Sequence, residues 1–234
     1  MNNEADNVER TIWKIHDLLA ETYGDPPSRP YPDPVASLVS TIISQNTNDN
    51  NRDVAFQRLR DRYATWAEVR DAPTEEVLEA IRPAGLAPTK APRIQAALER
   101  ITEERGEITL DFLKEMSLEE ARSWLEGIKG VGPKTAAIVL LFAFDRPAFP
   151  VDTHVHRVSR RLGLIPEGTS REKAHDILED LVPEKLYYAF HIELIRHGRQ
   201  TCVARDPHCE VCPLNDLCAY YQEQIADGIP NENP

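Results

Sequence analysis

The stretch from Leu125 to Ala137 limits what this chain can fold into more than any other, because Gly127, Gly130 and Gly132 fall within it and Pro133 follows directly. It reads as a helix over 118–126, a glycine-rich hairpin, and a second helix that opens at Pro133. Proline suits the first helical turn, where its missing N–H has no intrahelical acceptor to lose. Glycine lets the hairpin take positive φ and approach another molecule without a Cβ in the way. The hairpin amides and the free N–H groups of the new helix then converge on one point, which suits a phosphate. Such a site holds a nucleic-acid backbone without reading its sequence.

Two residues near this hairpin carry possible chemistry. Lys134 opens an apolar helix running through Ala136, Ile138, Val139 and Leu140. Desolvation and the positive helix end would both disfavour its ammonium and give a nucleophilic amine. It reads equally as one more phosphate-contacting lysine. Asp152 follows the apolar segment Phe149, Pro150 and Val151 and precedes Thr153 and His154. It can serve as a general base, as a helix N-cap, or as both.

Apolar residues recur at helical spacing almost throughout, glycines and aromatics are few, and no region is β-rich, so an all-α fold is expected. Ile12, Ile15, Leu18 and Leu19 share one face of a first helix that Gly24 ends. The proline-dense connection from Asp25 to Pro34 is the expected crossing between two lobes, with Asp33 capping the helix that Pro34 begins. Val35, Leu38, Val39, Ile42 and Ile43 make that helix core-forming. It runs into eight polar residues from Ser44 to Asn51, which read as a solvated turn with Asn48 or Asp49 as a cap. A second glycine-containing turn, from Arg82 to Lys90, places Leu86 beside the next helix start, where it reads as a helix-end apolar contact. Ser117 and Glu120 form a capping box for the helix that leads into the hairpin.

All four cysteines, Cys202, Cys209, Cys212 and Cys218, fall in a C-x6-C-x2-C-x5-C arrangement. Four thiols this close in a chain whose polar N-terminus does not resemble an export signal point to a metal or cluster loop rather than to disulfides. Zinc ribbons usually carry two C-x2-C knuckles, and one is present here.

The formal net charge is −12. From Lys129 to Arg161 six cations (Lys129, Lys134, Arg146, Arg157, Arg160, Arg161) face Asp145 and Asp152, a local balance of +4 that leaves −16 for the remainder. A positive face on an acidic body is therefore expected, with weak long-range steering. The longest apolar run, Ala136 to Phe144, is nine residues and too short to span a bilayer. The expectation is a soluble, cytoplasmic, nucleoid-associated monomer without a membrane partner.

Gly130, Val131, Gly132, Lys134, Thr135 and Ala136, taken with Val151, Asp152, Thr153 and His154, resemble the helix-hairpin-helix and catalytic aspartate of the endonuclease III family of DNA glycosylases. The cysteine spacing, with Ile195, His197, Gly198 and Arg199 ahead of Cys202, resembles that family's [4Fe-4S] loop, so the resemblance covers most of the chain. It implies two helical lobes with a DNA cleft between them: a six-helix barrel lobe over 29–136 with the hairpin, and a cluster lobe over 1–28 and 137–234. It also implies excision of damaged, oxidised pyrimidines from double-stranded DNA and cutting at abasic sites, with Lys134 as Schiff-base nucleophile and Asp152 assisting.

Gln45 and Leu86 would be wedges entering the duplex around an extruded base. Lys90, Gly130, Val131, Gly132, His154, Arg157 and Arg205 would contact DNA, and the four cysteines would hold the cluster. Asn46, Thr47 and Asn48 depart from the family's usual continuation after the glutamine, which bears on the base pocket. Other members of the superfamily are alternatives: a mismatch-directed thymine or uracil glycosylase, or an adenine glycosylase, which would usually carry a further C-terminal domain where sixteen residues follow Cys218 here. From another class, the alternative is a non-catalytic, redox-sensing DNA-binding protein.

Overall fold

The computed structural model of the protein describes residues 2–27 and 33–226. Its elements are α1 (Asn2–Tyr23), α2 (Pro34–Ser44), α3 (Asp49–Arg62), α4 (Trp66–Asp71), α5 (Thr74–Ile81), α6 (Ala87–Arg105), α7 (Leu118–Glu126), α8 (Pro133–Phe144), α9 (Thr153–Arg161), α10 (Arg171–Leu181), α11 (Tyr187–Gln200) and α12 (Ala219–Ala226). Among the described residues there is no strand. The fold is all-α, as the periodicity requires. None of the described helices is long and apolar enough to cross a membrane.

The chain divides into two compact units, residues 29–146 and residues 1–28 with 147–234. The first junction falls within the proline-dense connection, at residues that lie outside the described ones. The second differs from expectation. A return at 136/137 would cut α8, yet the first unit continues to residue 146. The reason is packing: Ala136, Ala137, Val139, Leu140 and Leu141 are all buried, and α8 lies against α2 and α7. Among its described residues the first unit holds the α-helices α2 to α8.

Its centre is α2. Every residue from Val35 to Ile43 is buried, so this helix is enclosed on all sides instead of showing one wet face. Asp33 accepts from the Val35 amide at 2.9 Å and Pro34 takes the first turn, which fixes where the helix begins. In the other unit, α11 packs against both α1 and α9, and α12 against α9.

Candidate nucleic-acid interface and cluster loop

In the first unit, α7 starts at the Ser117–Glu120 capping box and ends at Gly127. The hairpin turns through Gly130 at φ +89°, and α8 begins with Gly132 as N-cap and Pro133 behind it. Glycine has no side chain to satisfy the first amides, and α8 has no side-chain cap. The N–H groups that follow Pro133 in the first turn therefore have no helical acceptor and no side-chain cap, which suits them to an anion. Gly130 is exposed and Gly132 half-buried. Val131 is different: its side chain is 5% exposed and its amide donates to Ile128 O at 2.9 Å, so it shapes the hairpin and offers a ligand neither its side chain nor its N–H.

Lys134 stands exposed on that first turn. Its own chain does not desolvate it, contrary to the expectation drawn from the apolar helix; any drying of the amine has to come with the molecule it binds. Its immediate neighbours in sequence, Thr135, Ala136 and Ala137, turn inward and anchor the turn.

The polar loop after α2 reaches this hairpin. Gln45 Nε2 donates to the Gly130 carbonyl at 2.9 Å, and its Oε1 lies 3.4 Å from Arg93 Nη1. Asn46 follows in the left-handed region at φ 53°. Leu86 is likewise left-handed, at φ 50°, and 57% exposed, a conformation and an exposure a large apolar side chain rarely combines. It is no helix-end packing contact.

Lys90 corrects the sequence reading. It is 2% exposed, and its ammonium donates to Ile43 O at 2.7 Å and Ala84 O at 2.9 Å. No phosphate can reach it. Arg93, which sequence reasoning missed, occupies the space a Cβ on Gly130 would need, with its Cδ 2.7 Å from that position. An arginine one turn from Lys90 gave no signal in the sequence beyond its charge.

In the second unit, Asp152 Oδ1 accepts from the His154 and Val155 amides, both at 2.8 Å. It is the N-cap of α9 and half-buried. His154 Nδ1 lies 3.1 Å from Arg157 Nη2. Arg157 was expected on a DNA-facing side of this helix, but two of its nitrogens are turned inward: Nη2 binds Gly198 O at 2.7 Å and Nε binds Cys202 O at 3.1 Å. It braces α11 and the first cysteine. Arg161, one turn on, is 9% exposed and binds Val203 O at 2.7 Å and Ala204 O at 3.2 Å. Arg146 likewise donates to Leu113 O at 2.7 Å within its own unit. The expected positive face thus loses Arg146, Arg157 and Arg161 to internal carbonyls, while Lys129, Lys134 and Arg160 stay exposed.

Cys202, Cys209, Cys212 and Cys218 border a single pocket with Arg161, His197, Leu214 and Tyr220. Among the described residues no three His, Cys, Asp or Glu side chains converge as they would around one metal ion. N–H donors are aimed at the sulfurs: Arg161 Nη1 lies 3.3 Å from Cys202 Sγ, and the Leu214 amide 3.4 Å from Cys212 Sγ. Burial by the protein pushes the Cys212 thiol up to about 11. Cys212 therefore needs a bound cation's charge to ionise. Arg161 Nε is buried with no hydrogen-bond partner, and a buried guanidinium is what an anionic thiolate cluster would leave in place beside itself. The donor set fits an iron–sulfur group. The loop between the first two cysteines presents Arg205, which is exposed and followed by Asp206 in the left-handed region at φ 50°.

Residues 39–184 match the family described as HhH-GPD superfamily base excision DNA repair protein, and residues 202–218 match the iron-sulfur binding domain of endonuclease III. The chain is 35% identical to endonuclease III of Thermotoga maritima, covering 85% of this chain and 89% of that one. It is 38% identical to a putative DNA glycosylase of Arabidopsis thaliana over 69% of its own length, and spans 55% of that relative. A solved non-covalent complex of endonuclease III with DNA superposes with a TM-score of 0.78 at 29% identity, covering 93% of this chain and 98% of that one.

Proposed function

Because this chain belongs to the HhH-GPD superfamily of base excision DNA repair proteins, we propose that it is a bifunctional DNA glycosylase and abasic-site lyase that removes damaged, oxidised pyrimidines from duplex DNA. The observation that carries the reading is Lys134: a primary amine, exposed, on the first turn of a helix whose N-terminus has no side-chain cap. A phosphate held by those amides would bring the attached sugar to the lysine.

In this reading Lys134, as the free amine, attacks the sugar C1′ while the bond from C1′ to the base breaks and the base leaves with the bonding electrons. Asp152 accepts the lysine proton or faces the developing positive charge on the sugar. Opening of the sugar ring gives an iminium linking Lys134 to C1′. Loss of a C2′ proton then expels the 3′ phosphate, and water releases the enzyme. Gln45 and Leu86 enter the duplex and hold the space of the extruded nucleotide, which an enzyme acting on a stacked base has to vacate. The hairpin glycines and Arg205 supply backbone contacts.

The protein carries a [4Fe-4S] cluster, and we assign Cys202, Cys209, Cys212 and Cys218 as its ligands. The cluster supplies bonds that order a loop too small to have a core of its own. Arg157 and Arg161 hold that loop to α9 through the carbonyls of residues 202–204. The protein acts as a cytoplasmic, nucleoid-associated monomer.

Borohydride trapping tests the reading. Wild-type protein incubated with an abasic duplex and borohydride is expected to form a covalent protein–DNA adduct, and Lys134→Ala none. Equal trapping by both would remove Lys134 as the nucleophile, and no trapping by wild type would remove the lyase step. A panel of duplexes, each with one modified or mismatched base, identifies the substrate; preference for a thymine or uracil mismatch over oxidised pyrimidines would overturn the substrate assignment.

A further inference from the structure

Lys90 lies beneath two loops that are remote in sequence. Ile43 is the next-to-last residue of α2, two positions before Gln45. Ala84 closes the 3-10 turn Arg82–Ala84, two positions before Leu86. Each carbonyl belongs to the C-terminal end of a helical segment, where backbone acceptors have no helical donor left and the dipole is negative. One ammonium satisfies both, at 2.7 and 2.9 Å, and it sits on α6 at 2% exposure.

A fully buried cation is an expensive way to satisfy two carbonyls when both acceptors are neutral. Filling the space alone would ask for a methionine or leucine. What the ammonium adds is rigidity, since two short bonds to one atom fix the distance between the two carbonyls. Beyond each of them the chain enters a left-handed residue that is not glycine, Asn46 at φ 53° and Leu86 at φ 50°. Such a conformation is costly for a residue that carries a Cβ and persists only where its surroundings over-determine it. Leu86 further begins α6 itself, its carbonyl accepting from Lys90's own amide at 3.0 Å. The same residue therefore holds the Leu86 turn by its backbone and both loops by its side chain.

We infer that Lys90 is a positioning residue for base extrusion: its buried ammonium ties Ile43 O to Ala84 O and thereby sets the separation of Gln45 and Leu86. The inference rests on the proposed wedge role of those two side chains. It assigns to Lys90 no contact with DNA, in contrast to the phosphate role that its sequence position implied.

The test compares substrates that do and do not need extrusion. Wild type, Lys90→Met and Lys90→Gln are measured for the rate of borohydride trapping on an abasic site in a duplex and in a single strand, and for the fluorescence of a 2-aminopurine placed beside a tetrahydrofuran site in a duplex. Lys90→Met is expected to trap on the duplex about tenfold or more slowly, to lose most of the 2-aminopurine increase, and to stay within about twofold of wild type on the single strand. Lys90→Gln keeps N–H donors on a shorter arm and is expected to fall between. Equal loss on duplex and single strand would mean a general folding defect, and unchanged duplex trapping would mean a core residue without a positioning role; either overturns the inference. If Lys90→Met loses its helical circular dichroism, Lys90→Gln is judged by the same criteria. Gln45→Ala and Leu86→Ala separate the two levels of the argument. Should neither lower the 2-aminopurine signal, the wedge reading fails; should they lower it while the Lys90 variants do not, the wedges stand and the role of Lys90 fails.

Discussion

Gln45 donates its side-chain N–H to the carbonyl of Gly130 at 2.9 Å, joining positions 85 residues apart in sequence. The contact seats the polar loop after α2 on the hairpin that opens α8. It also means that a glutamine entering a duplex has first to leave an acceptor in its own protein, so the position of Gln45 and the shape of the hairpin are linked.

That linkage makes Gly130 the most sensitive point of the hairpin. It combines φ +89° with an Arg93 Cδ only 2.7 Å from where a Cβ would sit. Gly130→Ala is expected to lower stability by about 1–2 kcal/mol from the backbone conformation alone, and to displace Arg93. Thermal melting gives the stability loss, and trapping on an abasic duplex, expected to slow, reports the hairpin. An unchanged melting temperature would show that the turn relaxes freely.

Asp152 has two separable jobs. As N-cap it accepts from two amides at 2.8 Å, and a cap of this kind contributes about 1 kcal/mol. Asn caps as well as Asp but carries no charge. Asp152→Asn is thus expected to melt close to wild type while losing about a hundredfold or more in turnover, whereas Asp152→Ala loses both. If Asp152→Asn turns over normally, the carboxylate charge has no part in the reaction and capping is its whole function.

Iron removal is expected to act first on the Cys202–Cys218 loop. The regular structure of this segment is limited to short 3-10 turns at Cys209–Val211 and Asn215–Leu217. Protein stripped of iron should lose its broad visible absorption, melt at lower temperature and become protease-sensitive between Cys202 and Cys218. Arg161→Met, which removes the donors to the carbonyls of residues 203 and 204, should lower cluster retention in the same assay. Full retention in Arg161→Met would assign that bracing to other residues.

Glu193 gives a pH signature far from the hairpin. It is fully buried, one carboxylate oxygen lies 2.9 Å from His16 Nδ1, and the other has no hydrogen-bond partner. Burial pushes its carboxyl above the ordinary value of 4.5, against the opposing pull of His16 and Arg196. Above 4.5 the unfolded chain has released a proton that the folded protein still holds. Stability therefore falls as pH rises through that window. Relative to wild type, Glu193→Gln is expected to gain in melting temperature as pH rises above 4.5. A constant difference across that range would show the carboxyl to be unperturbed.

Much of the fold was legible because it is written in local rules. A proline after Asp33, a Ser117–Glu120 box, the glycines before Pro133 and an aspartate before Thr153 each act within about one turn of chain, and the helices begin where these residues say. The cysteine spacing is local in the same sense. What those rules do not reach is the direction a long polar side chain takes after the helices pack. Lys90, Arg157 and Arg161 looked like DNA contacts or a basic face, and tertiary packing turned them inward onto carbonyls left over at helix ends and loops. Packing likewise left Lys134 exposed at the head of an apolar helix, and kept α8 with α2 instead of with the unit that follows. Periodicity and capping are decided within a turn of helix, so sequence alone determined the elements and their ends. Which cations meet solvent depends on carbonyls tens of residues distant, and only the assembled structure supplied them.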